Sequence, residues 1–460
     1  MLNAYVNIVR RVLPSPFSIA LILTLVSFAC VIALQFSSSG QVSLEQSLTW
    51  WVGGLWNPSL MVFAMQMMLM LVLGHALALT NAAKGLIDLM VLRCNSSESA
   101  AMIVSLVALT IGLFNWGLGL IFGAILARKV GEQFSQTGRP LNYGLIGAAG
   151  YAALMIWHGG ISGSALIKVA ESGNLVDMMS GVLTSDEMAK IPMRIGLSET
   201  AFSSSNVIIT IAVLTLVPAS LYWIGKTFQA NELVNIETDK KQQKTNDEPV
   251  GAEYVDHSRV TGTLVGSALV GYCLYLALLK ESSFLNFFNP NNINLLLLAL
   301  ALMLHQRISD FLKAVESAIS GASGILIQFP LYFGIIGLIS GSGLIEMLSN
   351  FFISISNTTT YPLFTYLSAG MVNIFVPSGG GQWVIQGPIV IKAALSLGVP
   401  LEKSIMALAY GDQITNMLQP FWALPLLGIT KLSARDILPY TLVMFAVGFV
   451  IYGMGLLVLY

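Results

Sequence analysis

Four short polar interruptions in an otherwise apolar chain hold the residues that could do chemistry. The first is Asn115-Trp116-Gly117-Leu118-Gly119, and the second is His158-Gly159-Gly160-Ile161-Ser162-Gly163-Ser164. The third follows Asn373 and is bounded by Pro377 and Pro388, with Ser378-Gly379-Gly380-Gly381-Gln382-Trp383 between them. The fourth is Asp412-Gln413-Ile414-Thr415-Asn416-Met417-Leu418-Gln419-Pro420. This chemistry suits capture of a small anion. Half-helix N-termini offer free amides and partial positive charge to a carboxylate. Gly159, Gly160, Gly379, Gly380 and Gly381 let a ligand approach the backbone. Asn115, Ser162, Ser164, Asn373, Ser378, Thr415 and Asn416 can donate hydrogen bonds or coordinate a cation, and Trp116, Trp157, Trp383 and Trp422 can wall a short acyl chain. His158 and Asp412 are the ionisable residues placed deep within broken spans. A buried carboxylate is costly unless paired or protonated, and histidine titrates near neutrality. The substrate candidates are therefore Asn115, His158, Gly159, Gly160, Ser162, Ser164, Asn373 and Ser378 to Trp383. Asn115, Asn373, Asp412, Thr415 and Asn416 are the candidates for a coupling ion.

Each residue also has a structural use that competes with this one. Glycines such as Gly117, Gly119 and Gly163 let membrane helices pack closely. Ser164 can bond back to its own helix, and the tryptophans can serve as interface anchors or core. His158 can be a neutral core histidine and Asp412 a satisfied structural carboxylate. The glycine triplet between prolines is more specific: it reads as a re-entrant turn that exposes its amides and carbonyls. Irregular backbone survives at membrane depth only where protein buries it or it lines a wet cavity.

The surrounding chain must hold these interruptions inside a bilayer. Of 460 residues, 55% are hydrophobic and 10% charged, against about 25% charged in soluble domains. The expected fold is an all-α polytopic membrane protein. Spans are placed at 17–36, 58–80, 143–169, 205–224, 261–279, 292–305, 317–341, 404–430 and 438–459. The stretches 99–128 and 361–396 are too long and too broken for single helices and are read as hairpins that enter and leave on one side. Thus nine spans and two re-entrant hairpins are expected, with 143–169 and 404–430 broken at mid-membrane. The first span is read as uncleaved, because no small-residue cleavage site follows it. A net charge of −1 gives no hint of nucleic-acid binding. Cys30, Cys94 and Cys273 show no metal or disulfide spacing, and no motif calls for a cofactor.

Positive residues tend to stay on the cytoplasmic side. With a cytoplasmic N-terminus, 16 lysines and arginines lie inside, among them Arg10, Arg11, Lys84, Lys240, Lys241 and Lys244, against 6 outside. That favours this orientation and places the C-terminus outside. The polar run 226–260 is expected to be disordered and to link two halves, 1–225 and 261–460. Gly85-Leu86-Ile87-Asp88-Leu89-Met90 recurs as Gly343-Leu344-Ile345-Glu346-Met347-Leu348, and Asn115 recurs as Asn373, both at an offset of 258 residues. An odd number of crossings separates the copies, so the halves should be inverted. Inverted repeats with broken helices are characteristic of secondary transporters.

Asn373 to Pro388, Ala409-Tyr410-Gly411-Asp412-Gln413 and Gln419-Pro420-Phe421-Trp422-Ala423-Leu424-Pro425 resemble the signature of the short-chain fatty-acid transporter family (AtoE-type permeases). Phe63-Ala64-Met65-Gln66-Met67, Gly74-His75-Ala76-Leu77-Ala78 and Asn115 to Gly119 fit the same family. The resemblance implies movement of small monocarboxylates such as acetoacetate or butyrate across the bacterial cytoplasmic membrane. It also implies kinship with transporters in which a mobile hairpin domain moves against a homodimeric scaffold. It fixes no coupling ion, and H+ and Na+ both remain open. Around the first-half break the chain departs from the family in carrying Trp157-His158-Gly159-Gly160-Ile161-Ser162. From the residues alone, two other readings stay open: a membrane-embedded enzyme using His158 and Asp412 as acid and base, and a passive anion channel.

Overall fold

A computed structural model describes residues 14–39, 41–180, 182–228, 233–236, 251–280, 287, 289–319 and 322–460. Arg10, Arg11, Lys240, Lys241, Lys244 and most of the 226–260 run lie outside the described residues. The regular structure within them is helical, apart from one isolated bridge between Pro140 and Leu233. Among the described residues, eight segments are long and apolar enough to cross a membrane. Seven of them match spans expected from the sequence. The eighth, Ser97–Phe114, was expected as the first arm of a hairpin. Two expected spans differ. The stretch 292–305 is a shorter apolar helix, Pro290–His305, of 16 residues, and a bilayer accommodates a span of that length by thinning locally. The stretch 404–430 is split into Leu401–Thr415 and Pro420–Thr430.

The first half runs α1 (Pro16–Ser39), α2 (Leu44–Leu55), α3 (Pro58–Ala78) and the short α4 (Asn81–Val91). A hairpin of α5 (Ser97–Phe114) and α6 (Trp116–Thr137) follows. The broken segment is α7 (Tyr143–Tyr151), 3-10 turns over Ala152–Met155 and Trp157–Gly159, and α8 (Ser164–Ala170). After α9 (Asn174–Met179) and α10 (Ser185–Met188), α11 (Ser204–Thr227) closes the half. The second half opens with α12 (Glu253–His257), α13 (Arg259–Tyr275), α14 (Pro290–His305) and α15 (Ile308–Ile319). It continues with α16 (Ser323–Ser342), the short α17 (Leu344–Ser354) and a hairpin of α18 (Tyr361–Phe375) and α19 (Gly379–Leu397). Last come α20 (Leu401–Thr415), a 3-10 turn over Asn416–Leu418, α21 (Pro420–Thr430) and α22 (Ala434–Val458). From α3 and from α16 onward, each half therefore follows one order: span, short helix, hairpin, broken segment, long helix.

The halves clasp each other. The second half's α16 packs on α1 and α2, and the first half's α3 packs on α14 and α15. Small residues permit this closeness, as is usual where lipid supplies no hydrophobic drive. A Cβ on Gly54 would come within 2.7 Å of the Gly337 Cα. Each hairpin turns on a short polar element. Asn115 ends α5, and its Oδ1 accepts from the Leu118 N–H at 2.8 Å to cap α6. In the second hairpin the Ser378 hydroxyl accepts from Gly381 N–H at 3.2 Å, and this cap corrects one sequence expectation. The glycine triplet is the first turn of α19 rather than an open loop, and only 376–378 break the helical path. Pro388 sits inside α19.

The broken segments lose backbone hydrogen bonds, and side chains replace them. Tyr151 donates its hydroxyl to the carbonyls of Asn416 and Gln419, at 2.9 and 3.0 Å. Tyr452 donates to the Met155 carbonyl at 2.6 Å, and Asn416 Nδ2 donates to Leu154 at 3.1 Å. The two breaks thus satisfy one another across the interface between halves.

Candidate functional site

A cavity of about 720 Å³ lies where these interruptions meet. Residues of three interruptions line it, with a tryptophan just past the fourth: Asn115 and Trp116 from the first hairpin, Trp157, Ser162 and Ser164 from the first broken segment, Ser378 to Gly380 and Trp383 from the second hairpin, and Trp422 from α21, beyond the Asp412 to Pro420 run. Its size falls within the usual range for small-molecule sites, about 300–1,000 Å³. Phe63 of α3, Lys168, Asn174 and Asp177 also belong to the lining. Lys168 is half exposed and pairs with Glu171 at 3.1 Å. Lys168 and Asp177 are the charged side chains of the lining, so the rest of the wall meets a ligand with neutral groups.

The wall is aromatic. Trp116 lies 6.0 Å from Trp157 and 5.1 Å from Trp422 between ring centres, and Trp157 stacks on His158 at 4.5 Å. Phe63 approaches both Trp116 and Trp422. Several buried polar atoms here have no hydrogen-bond partner: Ser162 Oγ and the indole nitrogens of Trp157, Trp383 and Trp422. An unpartnered buried polar group typically costs about 1–3 kcal/mol. Such a cluster beside a cavity marks a region built for more than packing.

A polar layer lies directly behind the cavity. His158 and Asp412 are buried, with His158 Nδ1 3.0 Å from Asp412 Oδ2 but outside hydrogen-bond alignment. The other ring nitrogen, Nε2, accepts from the Ala165 N–H at 3.1 Å, in the first turn of α8. Gln413 Oε1 accepts from the N–H groups of His158 and Gly159 at 2.9 and 3.1 Å, holding the turn that carries the histidine. Asn206 of α11 grips the same turn from the other side. Its Nδ2 donates to the Gly159 carbonyl at 2.8 Å, and Tyr410 donates to its Oδ1 at 2.7 Å.

Asn373 anchors the second hairpin to the second break. Its Nδ2 faces the Asp412 carbonyl at 2.7 Å, Thr415 Oγ1 at 2.9 Å and Asn416 Oδ1 at 3.1 Å. Gln419 Nε2 donates to the Asn373 carbonyl at 2.7 Å. The amide NH2 therefore fills the space in which these oxygens would hold a cation.

The candidates from the sequence fall into two groups. Asn115, Ser162, Ser164, Ser378, Gly379, Gly380 and Trp383 line the cavity. His158, Asn373, Gln382, Asp412, Thr415 and Asn416 are buried behind it. Gln382 donates to the Ala369 carbonyl at 2.9 Å and to Gln386 at 2.8 Å, fixing α19 on α18. Gly381 is held by its cap. Gly159 and Gly160 face protein instead of the cavity. A Cβ on Gly160 would come to 2.4 Å from the Leu113 carbonyl oxygen, and one on Gly159 to 3.2 Å from Asn206 Oδ1. Gly379 joins the two layers: it lines the cavity, and a Cβ there would lie 2.9 Å from Asp412 Oδ2 and 3.0 Å from His158 Cε1. Sequence reasoning missed Gln413, Asn206, Tyr410 and the Ala165 amide. Gln413 sits within the fourth polar interruption and was visible there. Asn206 and Tyr410 lie in different elements and become partners only in three dimensions.

The profile of the family described as short chain fatty acid transporter matches residues 1–459. The chain belongs to this family. A provisionally named short-chain fatty acid transporter of Escherichia coli (strain K12) is 36% identical to it over 455 residues, covering 97% of each chain. A provisionally named transporter of the same kind from Haemophilus influenzae (strain ATCC 51907 / DSM 11121 / KW20 / Rd) is 35% identical over 438 residues, covering 94% of this chain and 93% of the other. The crystal structure of the Alcanivorax borkumensis YdaH transporter overlays with a TM-score of 0.42 at 16% identity, over 96% of this chain and 98% of that one. The transporter is thus a multi-pass membrane protein of a transporter family rather than an enzyme. Its substrate class is a small carboxylate.

Proposed function

We propose that the chain is a secondary transporter of short-chain monocarboxylates such as acetoacetate or butyrate, coupled to H+ or Na+. The observation that carries this reading is the convergence of both hairpin tips and both broken segments on one cavity with a largely aromatic wall. The acyl chain lies against Trp116, Trp157 and Trp422. The carboxylate is met by Ser162, Ser164 and the amides of Gly379 and Gly380 at the start of α19, where the helix dipole favours an anion. The halves 1–225 and 261–460 act as oppositely oriented repeats joined by 226–260. The two hairpins, re-entrant from opposite faces, move with the broken segments to alternate access within a homodimeric scaffold. The membrane is the bacterial cytoplasmic membrane, with the N-terminus inside and the C-terminus outside. The cavity then opens outward, past Lys168.

Uptake of labelled butyrate or acetoacetate into proteoliposomes checks this reading. Gradient-driven accumulation and counterflow of unmodified acid are expected. Flux that follows the acid's own gradient without counterflow would instead indicate a channel, and the absence of any protein-dependent uptake would reject transport of these acids.

A further inference from the structure

The transporter reading leaves H+ and Na+ open as coupling ions, and the geometry behind the cavity separates them. We infer that Asp412 carries the coupling proton on Oδ1, and that His158 stays a neutral Nδ1–H partner throughout the cycle. This inference rests on the carboxylate-transport reading and deepens it.

The argument begins with the histidine. Its Nε2 accepts the backbone N–H of Ala165 at 3.1 Å. A nitrogen that accepts such a bond carries no proton, which assigns the neutral ring's hydrogen to Nδ1. Nδ1 is the nitrogen 3.0 Å from Asp412 Oδ2. A second proton on the ring would set N–H against N–H at Ala165, so an imidazolium would have to break the first turn of α8. A neutral Asp412 donating to Nδ1 would move the ring hydrogen to Nε2 and meet the same clash. Neither oxygen of Asp412 has an aligned hydrogen-bond partner, but Oδ2 faces the ring's Nδ1–H at 3.0 Å, and that leaves Oδ1 as the position for an added proton.

The surroundings supply no other neutralising charge. Among the described residues, no lysine or arginine pairs with Asp412. Of the elements packed on α20, α8 brings Lys168, which is exposed and paired with Glu171. The α19 helix brings Lys392, whose Nζ reaches the Val182 carbonyl. The α18 helix brings Tyr361 and Tyr366, which donate to the carbonyls of Val390 and Phe449. The α22 helix brings Tyr452, bonded to Met155, and Tyr440, bonded to Asn142. Its own first turn holds Arg435, which is exposed, and Asp436, which caps Ser433, and α20 itself adds Tyr410, bonded to Asn206, with Glu402 and Lys403 near its start. The nearby cluster of oxygens that could seat a sodium ion is already taken, because the Asn373 amide faces the Asp412 carbonyl, Thr415 Oγ1 and Asn416 Oδ1.

Coupling follows from electrostatics. Gly379 lines the cavity, and a Cβ built on it would lie 2.9 Å from Asp412 Oδ2, so one glycine separates the cavity from the carboxylate. At an effective dielectric of about 20, like charges within about 10 Å weaken each other's binding by more than tenfold. An ionised Asp412 therefore opposes a carboxylate at the Gly379 and Gly380 amides, and a protonated one admits it. By linkage, the acid anion and one proton each strengthen the other's binding. Release of both on the far side is electroneutral.

The test uses the full chain purified in nanodiscs, with butyrate as probe. A pH indicator in weak buffer reads proton uptake on binding, and affinity is followed from pH 5.5 to 8.5 with sodium present and absent. The expected result is net proton uptake on butyrate binding, with affinity that falls as pH rises and ignores sodium. Asp412→Asn should bind butyrate with no proton uptake and a flat pH profile. His158→Gln should bind more weakly yet keep the uptake. Butyrate binding by the wild type without proton uptake, or with sodium dependence instead, overturns the inference alone. Proton uptake that persists in Asp412→Asn also overturns it. Failure of any short-chain acid to bind at any pH would overturn the transport reading itself, and this inference with it.

Discussion

Alanine in place of Gly379 is expected to lower butyrate uptake by about ten- to a hundredfold, while alanine in place of Gly380 should lower it far less. The added methyl at 379 would sit 2.7 Å from Trp157 Cη2, 2.9 Å from Asp412 Oδ2 and 3.0 Å from His158 Cε1. Real Cβ atoms do not approach that closely, so the tryptophan wall or the His158–Asp412 pair must move. Overpacking of this kind typically costs about 1–3 kcal/mol, and each 1.4 kcal/mol is about tenfold in an equilibrium. At 380 the methyl would meet Ser164 at 3.9 Å, an ordinary contact, and only trims the cavity. Initial uptake rates in proteoliposomes, normalised to inserted protein, measure both. Equal effects at the two positions would show that the cavity and the buried pair are not joined through Gly379.

The second large effect concerns Asn373. Its Nδ2 serves oxygens of Asp412, Thr415 and Asn416, tying the second hairpin to the second break. Asn373→Ala leaves those acceptors partly unmet, at about 1–3 kcal/mol for a buried group. Uptake should fall at least tenfold, with a thermal midpoint lower by a few degrees. Asn373→Asp is the sharper variant. It keeps the shape but turns a donor into an anion facing three oxygens, so it should be at least as damaging as alanine. If those oxygens instead held a sodium ion, the aspartate would preserve uptake and its sodium dependence.

Much of this site was legible because glycine, proline and amide side chains are conspicuous in an apolar background. Asn115, Ser378 and the Asp412 to Gln419 run could be found that way, and the structure brings all of them to one region. The roles within that region were less legible. Gly159 and Gly160 resemble Gly379 and Gly380 in type, yet one pair packs on Leu113 and Asn206 while the other lines the cavity. Only the neighbours in space decide between those uses. The glycine triplet looked like open loop because glycine propensity argues against helix. The cap from Ser378 and the packing of Gln382 and Gln386 on α18 outweigh that preference. The span at 292–305 was read from its apolar run, which is real, but the helix that forms there is short. The histidine's hydrogen-bond roles depend on the Ala165 amide and on Asp412, 254 residues away from it in the chain.

The most direct measurement of the central claim is cysteine protection at the cavity wall. Trp116→Cys and Gly380→Cys are each made in a background lacking Cys30, Cys94 and Cys273, and labelled with a small polar thiol reagent with and without butyrate. The account predicts that both positions react and that butyrate slows both, because residues from opposite halves share one water-filled acid site. Inert thiols at both positions, or labelling that butyrate leaves unchanged, would contradict it.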